Sequence, residues 1–184
     1  MDKMQTTQID TRCKVSSFAD AENGALLMSF LHEHEVVRGL KAYNDGPDET
    51  RTNFFVTLGP FVSRHGNRPV EYGTQDLSAA LVVDVSHLYH LVPLLRPEDI
   101  SVRTGGGSLM PGELLLLGDE VLMTVANSGR AGTQERVVLD VATGEITDLP
   151  KSSEVIATSR WAIRCRDDAS STGFDFEFAT DSEA

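Results

Sequence analysis

Residues 113–149 read ELLLLGDEVLMTVANSGRAGTQERVVLDVATGEITDL. Leu114 to Leu117 is an apolar run that breaks at Gly118-Asp119, and Val121 to Ala126 resumes the pattern. A polar, glycine-bearing loop, Asn127 to Thr133, leads into Arg136 to Val141. The turn Ala142-Thr143-Gly144 then returns the chain through Glu145 to Leu149. β-branched and apolar residues with turn signals so regularly placed predict three or four strands at the centre of a sheet.

On the N-terminal side, Asp20 is placed to cap a helix from Ala21 to about Tyr43. At 100° per residue, Leu26, Leu27, Phe30, Leu31, Val37 and Leu40 share one broad face, while Met28, His32, Glu35 and Arg38 lie mostly on the other. This predicts an amphipathic helix that ends before Asn44-Asp45-Gly46-Pro47. Asn53 to Leu58 and Ser78 to Val85 read as strands, and Phe61 to Tyr72 as a hairpin with Pro69 at an edge. His87 to Leu95 suits a short helix, which Pro93 limits to two turns. Pro97 to Arg103 reads as a short strand, and Thr104 to Gly112, with four glycines and a proline, as an exposed flexible loop.

Beyond the meander, Val155 to Cys165 alternates with period two and reads as a strand; the alternative is a helix capped by Ser159. Phe174-Asp175-Phe176-Glu177-Phe178 alternates aromatic with acid, as an edge strand or a segment that folds on a partner does. The expected fold is therefore α+β. A single domain over 17–166 holds a mixed or antiparallel sheet with the N-terminal amphipathic helix on one face. A polar arm, 1–16, and an acidic, Phe-containing tail, 167–184, flank it.

The 184-residue chain is long enough to bury a core, and its formal net charge is −12. That charge excludes nucleic acid and anionic lipid as natural partners, because both require clustered Lys and Arg. A basic protein partner suits it, and self-association stays open. The N-terminus, MDKMQTTQIDTRCK, lacks the apolar core of a signal peptide, and no run approaches the roughly 18 apolar residues of a membrane span. Cys13 and Cys165 make no disulfide framework, so free thiols and a cytoplasmic location are expected.

No catalytic or cofactor motif stands out. His32-Glu33-His34 is two-apart on the expected helix, so its imidazoles diverge. His87 and His90, three apart, would share a helical face, with Asp84 and His65 as further ligands; this is the alternative of a metal-dependent enzyme. Thr104-Gly105-Gly106-Gly107-Ser108 lacks the Gly-Lys-Ser/Thr ending of a phosphate loop, and Ser128 lacks the frame of a nucleophile elbow. No metal or cofactor is expected.

Arg136 to Ser159, RVVLDVATGEITDLPKSSEVIATS, resembles the C-terminal half of SUKH superfamily proteins. The shared pattern is a strand ending in Leu139-Asp140, a Thr143-Gly144 turn, a strand with Ile146, a polar spacer and Val155-Ile156-Ala157-x-Ser159, preceded by the Leu114 to Leu117 strand. Asp140 or Thr143 is suited to hydrogen-bond the turn backbone, and Gly144 to a positive φ. The resemblance covers about a third of the chain. Two features depart from it: Ser159 to Arg164 alternates like a strand where the family has an aromatic-rich helix, and Phe54 to Tyr72 carries no family landmark. It implies an α+β fold and a non-enzymatic protein-binding module, often an immunity protein that occupies a toxin. An acidic chain then meets the basic cleft of a nuclease-like toxin. By charge and expected exposure, the contact residues are Asp45, Asp48, Glu49, Asp119, Glu120, Asp167, Asp168, Asp175 and Glu177. A structural or assembly subunit of a phage particle or secretion apparatus is a further alternative, in which the arm and the tail lace into neighbours.

Overall fold

A computed structural model describes residues 13–32, 35–45, 51–58, 70–73, 80–127, 137–166 and 176–179. In chain order the strands are β1 (Lys14–Ser17), β2 (Leu26–His32), β3 (Glu35–Asp45), β4 (Arg51–Leu58), β5 (Val70–Gly73), β6 (Leu81–Asp84), β7 (Tyr89–Pro93) and β8 (Ile100–Thr104). They continue with β9 (Leu114–Leu117), β10 (Glu120–Thr124), β11 (Ala126–Asn127), β12 (Val137–Asp140), β13 (Ile146–Asp148), β14 (Glu154–Thr158), β15 (Arg160–Cys165) and β16 (Phe176–Ala179). Among the described residues the only helical element is a 3₁₀ turn, Pro97–Asp99. The fold is all-β, which corrects the α+β expectation.

The expected helix over 21–43 is replaced by the β2–β3 hairpin, with Leu26 opposite Leu40 and Met28 opposite Arg38. The apolar run misled because β2 is buried on both faces. Leu26 joins one core and Leu27 the opposite one, so the strand lacks a clean two-residue period. Val36-Val37 and Gly39 disfavour a helix interior and suit a strand. A Cβ at Gly39 would fall 2.6 Å from the Val56 carbonyl, so only glycine lets β4 and its Phe55 ring approach. β3 also runs through Asn44 and Asp45, two residues expected to end the element.

Three sheets share the core. The first has seven strands in the order β1-β6-β2-β3-β4-β5-β11, the second six (β13-β12-β10-β9-β14-β8) and the third three (β16-β15-β7). Among the described strands pairing is antiparallel except between β5 and β11, and an isolated parallel bridge links Tyr43 to Glu145. The largest core lies where the sheets meet: Leu40 and Val56 from the first, Leu114, Met123 and Leu139 from the second, Trp161 and Ile163 from the third. Trp161 is fully buried and donates its indole N–H to the Gly112 carbonyl at 2.8 Å. Two smaller cores coat the outer faces. Phe18, Leu27, Val37, Phe55 and Val82 pack on the first sheet; Leu115, Leu122, Val138, Val155 and Ala157 pack on the second.

Residues 113–149 form the expected meander of β9, β10, β12 and β13. The Val155–Cys165 stretch is strand in two pieces, β14 and β15, separated by a bend at Ser159 that carries the chain from the second sheet to the third. His87 to Leu95 holds β7 in place of a short helix. The glycine-rich loop after β8 is tied down: Gly105 and Gly106 donate to the Ser153 and Lys151 carbonyls at 2.7 and 2.8 Å. β1 begins inside the expected N-terminal arm, and β16 adds part of the acidic tail to β15 as an edge strand.

Candidate functional site

The Asp140–Gly144 turn is built from its own side chains. Asp140 accepts from the Ala142 N–H and the Thr143 hydroxyl, each at 2.8 Å, and the Thr143 oxygen accepts from the Glu145 N–H. Gly144 has φ +77°, a conformation that carries little penalty only for glycine. Its carbonyl accepts from the Tyr43 N–H at 2.8 Å, joining the turn of the second sheet to β3 of the first. This junction fixes the β12–β13 hairpin in position.

The same hairpin, with β9 and β10, frames a shallow depression of about 190 Å³ on the outer face of the second sheet. Its floor is apolar, with Leu117, Leu122, Val138 and Leu149. Its rim carries Glu120, Asp140, Glu145 and Asp148. Strand alternation explains the grouping. Leu117 pairs with Glu120 and Leu122 with Asp140, so these apolar and acidic side chains project from the same face, and Asp148, opposite Val137, reaches the rim from the end of β13. Asp140 is committed to its turn, while Glu120, Glu145 and Asp148 are exposed and have no ion-pair partner among the described residues. Among the described residues the lining of the depression holds no histidine, cysteine or lysine; the polar side chains are the four carboxylates and the Thr147 hydroxyl. Such a surface accepts cationic hydrogen-bond donors and offers apolar contact to the stem of a long side chain.

The expected contact residues separate. Glu120 lies on the rim, and Asp119 is exposed in the adjoining turn. Asp45 is exposed but engaged: Arg51 donates to its two oxygens at 2.8 and 3.1 Å and stacks 4.2 Å from the Tyr43 ring centre. The hydrogen bond from Arg51 holds the Asp45 carboxyl below its ordinary value. Glu177 lies in β16, opposite Ala162. Asp48, Glu49, Asp167, Asp168 and Asp175 lie outside the described residues. Glu145 and Asp148 were missed by sequence reading, although period-two alternation through the β12–β13 hairpin was a signal for Glu145, which the register sets with Thr147 on the Val138 face.

The histidine pair is not held on one helical face. His87 is exposed in the turn before β7, and His90 lies within β7 opposite Arg164. Asp84 accepts from the Ser86 N–H at 2.9 Å, capping that turn. Among the described residues no group of His, Cys, Asp and Glu side chains is placed to hold a metal ion. His65, Glu33 and His34 lie outside the described residues. Cys13 and Cys165 form no disulfide among the described residues. No described helix is long and apolar enough to cross a membrane. No protein-family model, no characterised protein and no solved structure matches the chain.

Proposed function

We propose that this protein is a non-enzymatic binding module that receives a basic segment of a partner protein on the outer face of its second sheet. The observation that carries the reading is the depression itself, with Glu120, Glu145 and Asp148 exposed around an apolar floor. On a chain of net charge −12, these carboxylates sit in a field that draws cations from a distance. An arginine or lysine entering there leaves its charge on the rim and its methylenes on Leu117, Leu122 and Val138. Neutralisation of a basic, nuclease-like toxin by direct binding is the biological setting that the sequence resemblance suggests. Cys13 and Cys165, which form no disulfide among the described residues, suit a reducing compartment such as the cytoplasm.

Co-expression with the product of the neighbouring gene, followed by gel filtration of the pair, tests this reading. A stable complex is expected that weakens with added salt and is lost in the double variant Glu120→Lys/Asp148→Lys. Both side chains are exposed, so the variant should fold normally. Unchanged binding by the double variant, or a partner with no basic surface, would overturn the reading.

A further inference from the structure

The second sheet ends at β8, and the way this edge is built makes it self-complementary. At one end of the β8–β14 ladder the Gly105 N–H donates to the Ser153 carbonyl at 2.7 Å; at the other the Ser159 N–H donates to the Asp99 carbonyl at 3.3 Å. Hydrogen-bonded and non-bonded pairs alternate along an antiparallel ladder. The inward-bonded residues of β8 are therefore Ser101 and Arg103, opposite Ala157 and Val155. Ile100, Val102 and Thr104 turn their backbone polar groups outward, where no strand pairs with β8 among the described residues.

The side chains here leave that edge open. Val102 is 76% exposed, and its cross-strand neighbour Ile156 is 42% exposed. Leu116 continues the row on β9, giving an apolar stripe that runs out to the edge. Natural sheets guard such edges with lysine, proline, short strands or charge. The opposite edge of the same sheet does so: β13 is only three residues long, ends in Asp148 and follows Glu145. The one charged side chain in β8, Arg103, is held in an ion pair with the buried Glu113.

We infer that β8 pairs antiparallel with β8 of a second copy of this chain, about a two-fold axis through Val102. That register places Val102 against its own counterpart and Ile100 against Thr104, so every outward-facing residue meets another. The stripe becomes continuous across the axis, from Leu116 and Ile156 through Val102 to the same residues of the second copy. The charges also fit. Ser101 lies opposite Arg103, while Glu98 and Asp99 fall opposite Gly106 and Gly105, so no carboxylate faces a carboxylate. A two-fold contact uses one patch twice and closes on itself, leaving no free β8 edge to extend a fibre. The depression lies toward the other end of the sheet, so the dimer leaves it open to a partner.

Sedimentation velocity of the full chain, from micromolar to millimolar, tests this. A monomer–dimer equilibrium is expected. Because each copy carries a charge of −12, added salt should strengthen the dimer, the reverse of its effect on a basic partner. Val102→Lys should lose the dimer with an unchanged thermal melt. Independently, Val102→Cys in a Cys13→Ser/Cys165→Ser background should form a disulfide-linked dimer on oxidation. Leu81→Cys, a cysteine at a 67% exposed position on the first sheet, should not. A monomer at every concentration with no Val102→Cys cross-link overturns the inference. So does a dimer that Val102→Lys leaves intact and that Val102→Cys fails to trap. If Val102→Lys does not fold, the cross-link decides alone.

Discussion

Gly24 and Gly144 meet backbone to backbone, and the contact leaves no room for a side chain on either. A Cβ on Gly144 would overlap the Gly24 nitrogen and the Lys41 carbonyl; one on Gly24 would overlap the Ala142 carbonyl. Both residues have φ +77°. Two hydrogen bonds flank the contact, Gly24 N–H to Lys41 O and Tyr43 N–H to Gly144 O, each 2.8 Å. The first sheet and the β12–β13 hairpin are thus joined through bare main chain.

Gly118 separates the two penalties at this junction. It also has a positive φ, +61°, but nothing lies within 4 Å of where its Cβ would be. Gly118→Ala should therefore cost only the backbone term, about 1–2 kcal/mol. Gly144→Ala adds a steric clash to the same term and should cost clearly more, with Gly144→Val worse again. For a chain of this size 1 kcal/mol corresponds to roughly 2–4 °C in Tm. Thermal melts of the three variants provide the check; equal losses at Gly118 and Gly144 would mean that the close approach of the two glycines carries no weight.

That junction also shows what the sequence made legible. The Asp140–Gly144 turn was readable because its stabilising groups are local: Asp140, Thr143 and a positive-φ glycine lie within five residues. The four meander strands were readable for the same reason, with short strands and turns close at hand. The β2–β3 hairpin was not, because Leu26 and Leu27 are both buried on opposite faces and the run imitates a helical stripe. Of the rim, Glu120 was legible as an exposed acid beside a turn. Its grouping with Glu145 and Asp148 depends on strand register, which a linear reading does not fix. Asp45 was legible as a charge, but its partner Arg51 lies across the β3–β4 register, so the ion pair was not.

Lys41 gives a pH-dependent prediction. It is 3% exposed, and its ammonium donates to the Ala19 and Ala21 carbonyls at 2.8 and 2.6 Å while lying 5.4 Å from the Phe18 ring centre. Burial lowers its pKa below the ordinary 10.5, with Asp20 opposing the shift. A lysine whose folded pKa is lowered binds fewer protons folded than unfolded, so stability rises with pH between the folded value and 10.5. Below that window the cost of burying the charge is fully present. Lys41→Met should remove this slope and leave two carbonyls without a donor, costing about 1–3 kcal/mol at neutral pH. Denaturant melts of both proteins over the alkaline range supply the comparison.

Asp45 and Arg51 predict a slope of the same sign at low pH, but there the charged form is favoured in the fold, so rising pH adds a stabilisation instead of relieving a cost. The Asp45 pKa is lowered, first by the hydrogen bond from Arg51 and then by its charge. The stabilisation is therefore present above the ordinary carboxylate value of 3.8 and fades as pH falls through the folded value. Both side chains are about half exposed, so the effect on overall stability should be small. The clean readout is the Asp45 carboxyl resonance in an NMR titration. It should titrate below 3.8 in the native chain and move back up in Arg51→Gln.

Arg103 and Glu113 form the pair whose loss should be felt most at the edge strand. Glu113 is 3% exposed, and Arg103 approaches it to 3.0 Å from a position one-third exposed. The Glu113 carboxylate also accepts from the Met110 N–H at 2.8 Å, and Arg103 donates to the Ser108 carbonyl at 3.0 Å. Together they hold the loop over 104–112 against the sheet, where Gly112 receives the Trp161 indole. Arg103→Met leaves a buried carboxylate with one donor fewer and its charge uncompensated, which should cost about 1–3 kcal/mol or more. Adding Glu113→Gln removes the stranded charge while keeping an acceptor for Met110, so the double variant should recover part of the loss. The sequence has one tryptophan, so denaturant unfolding followed by its fluorescence reports on this loop and the core together. A double variant no more stable than Arg103→Met alone would mean that burial of the Glu113 charge is not what makes the single substitution costly.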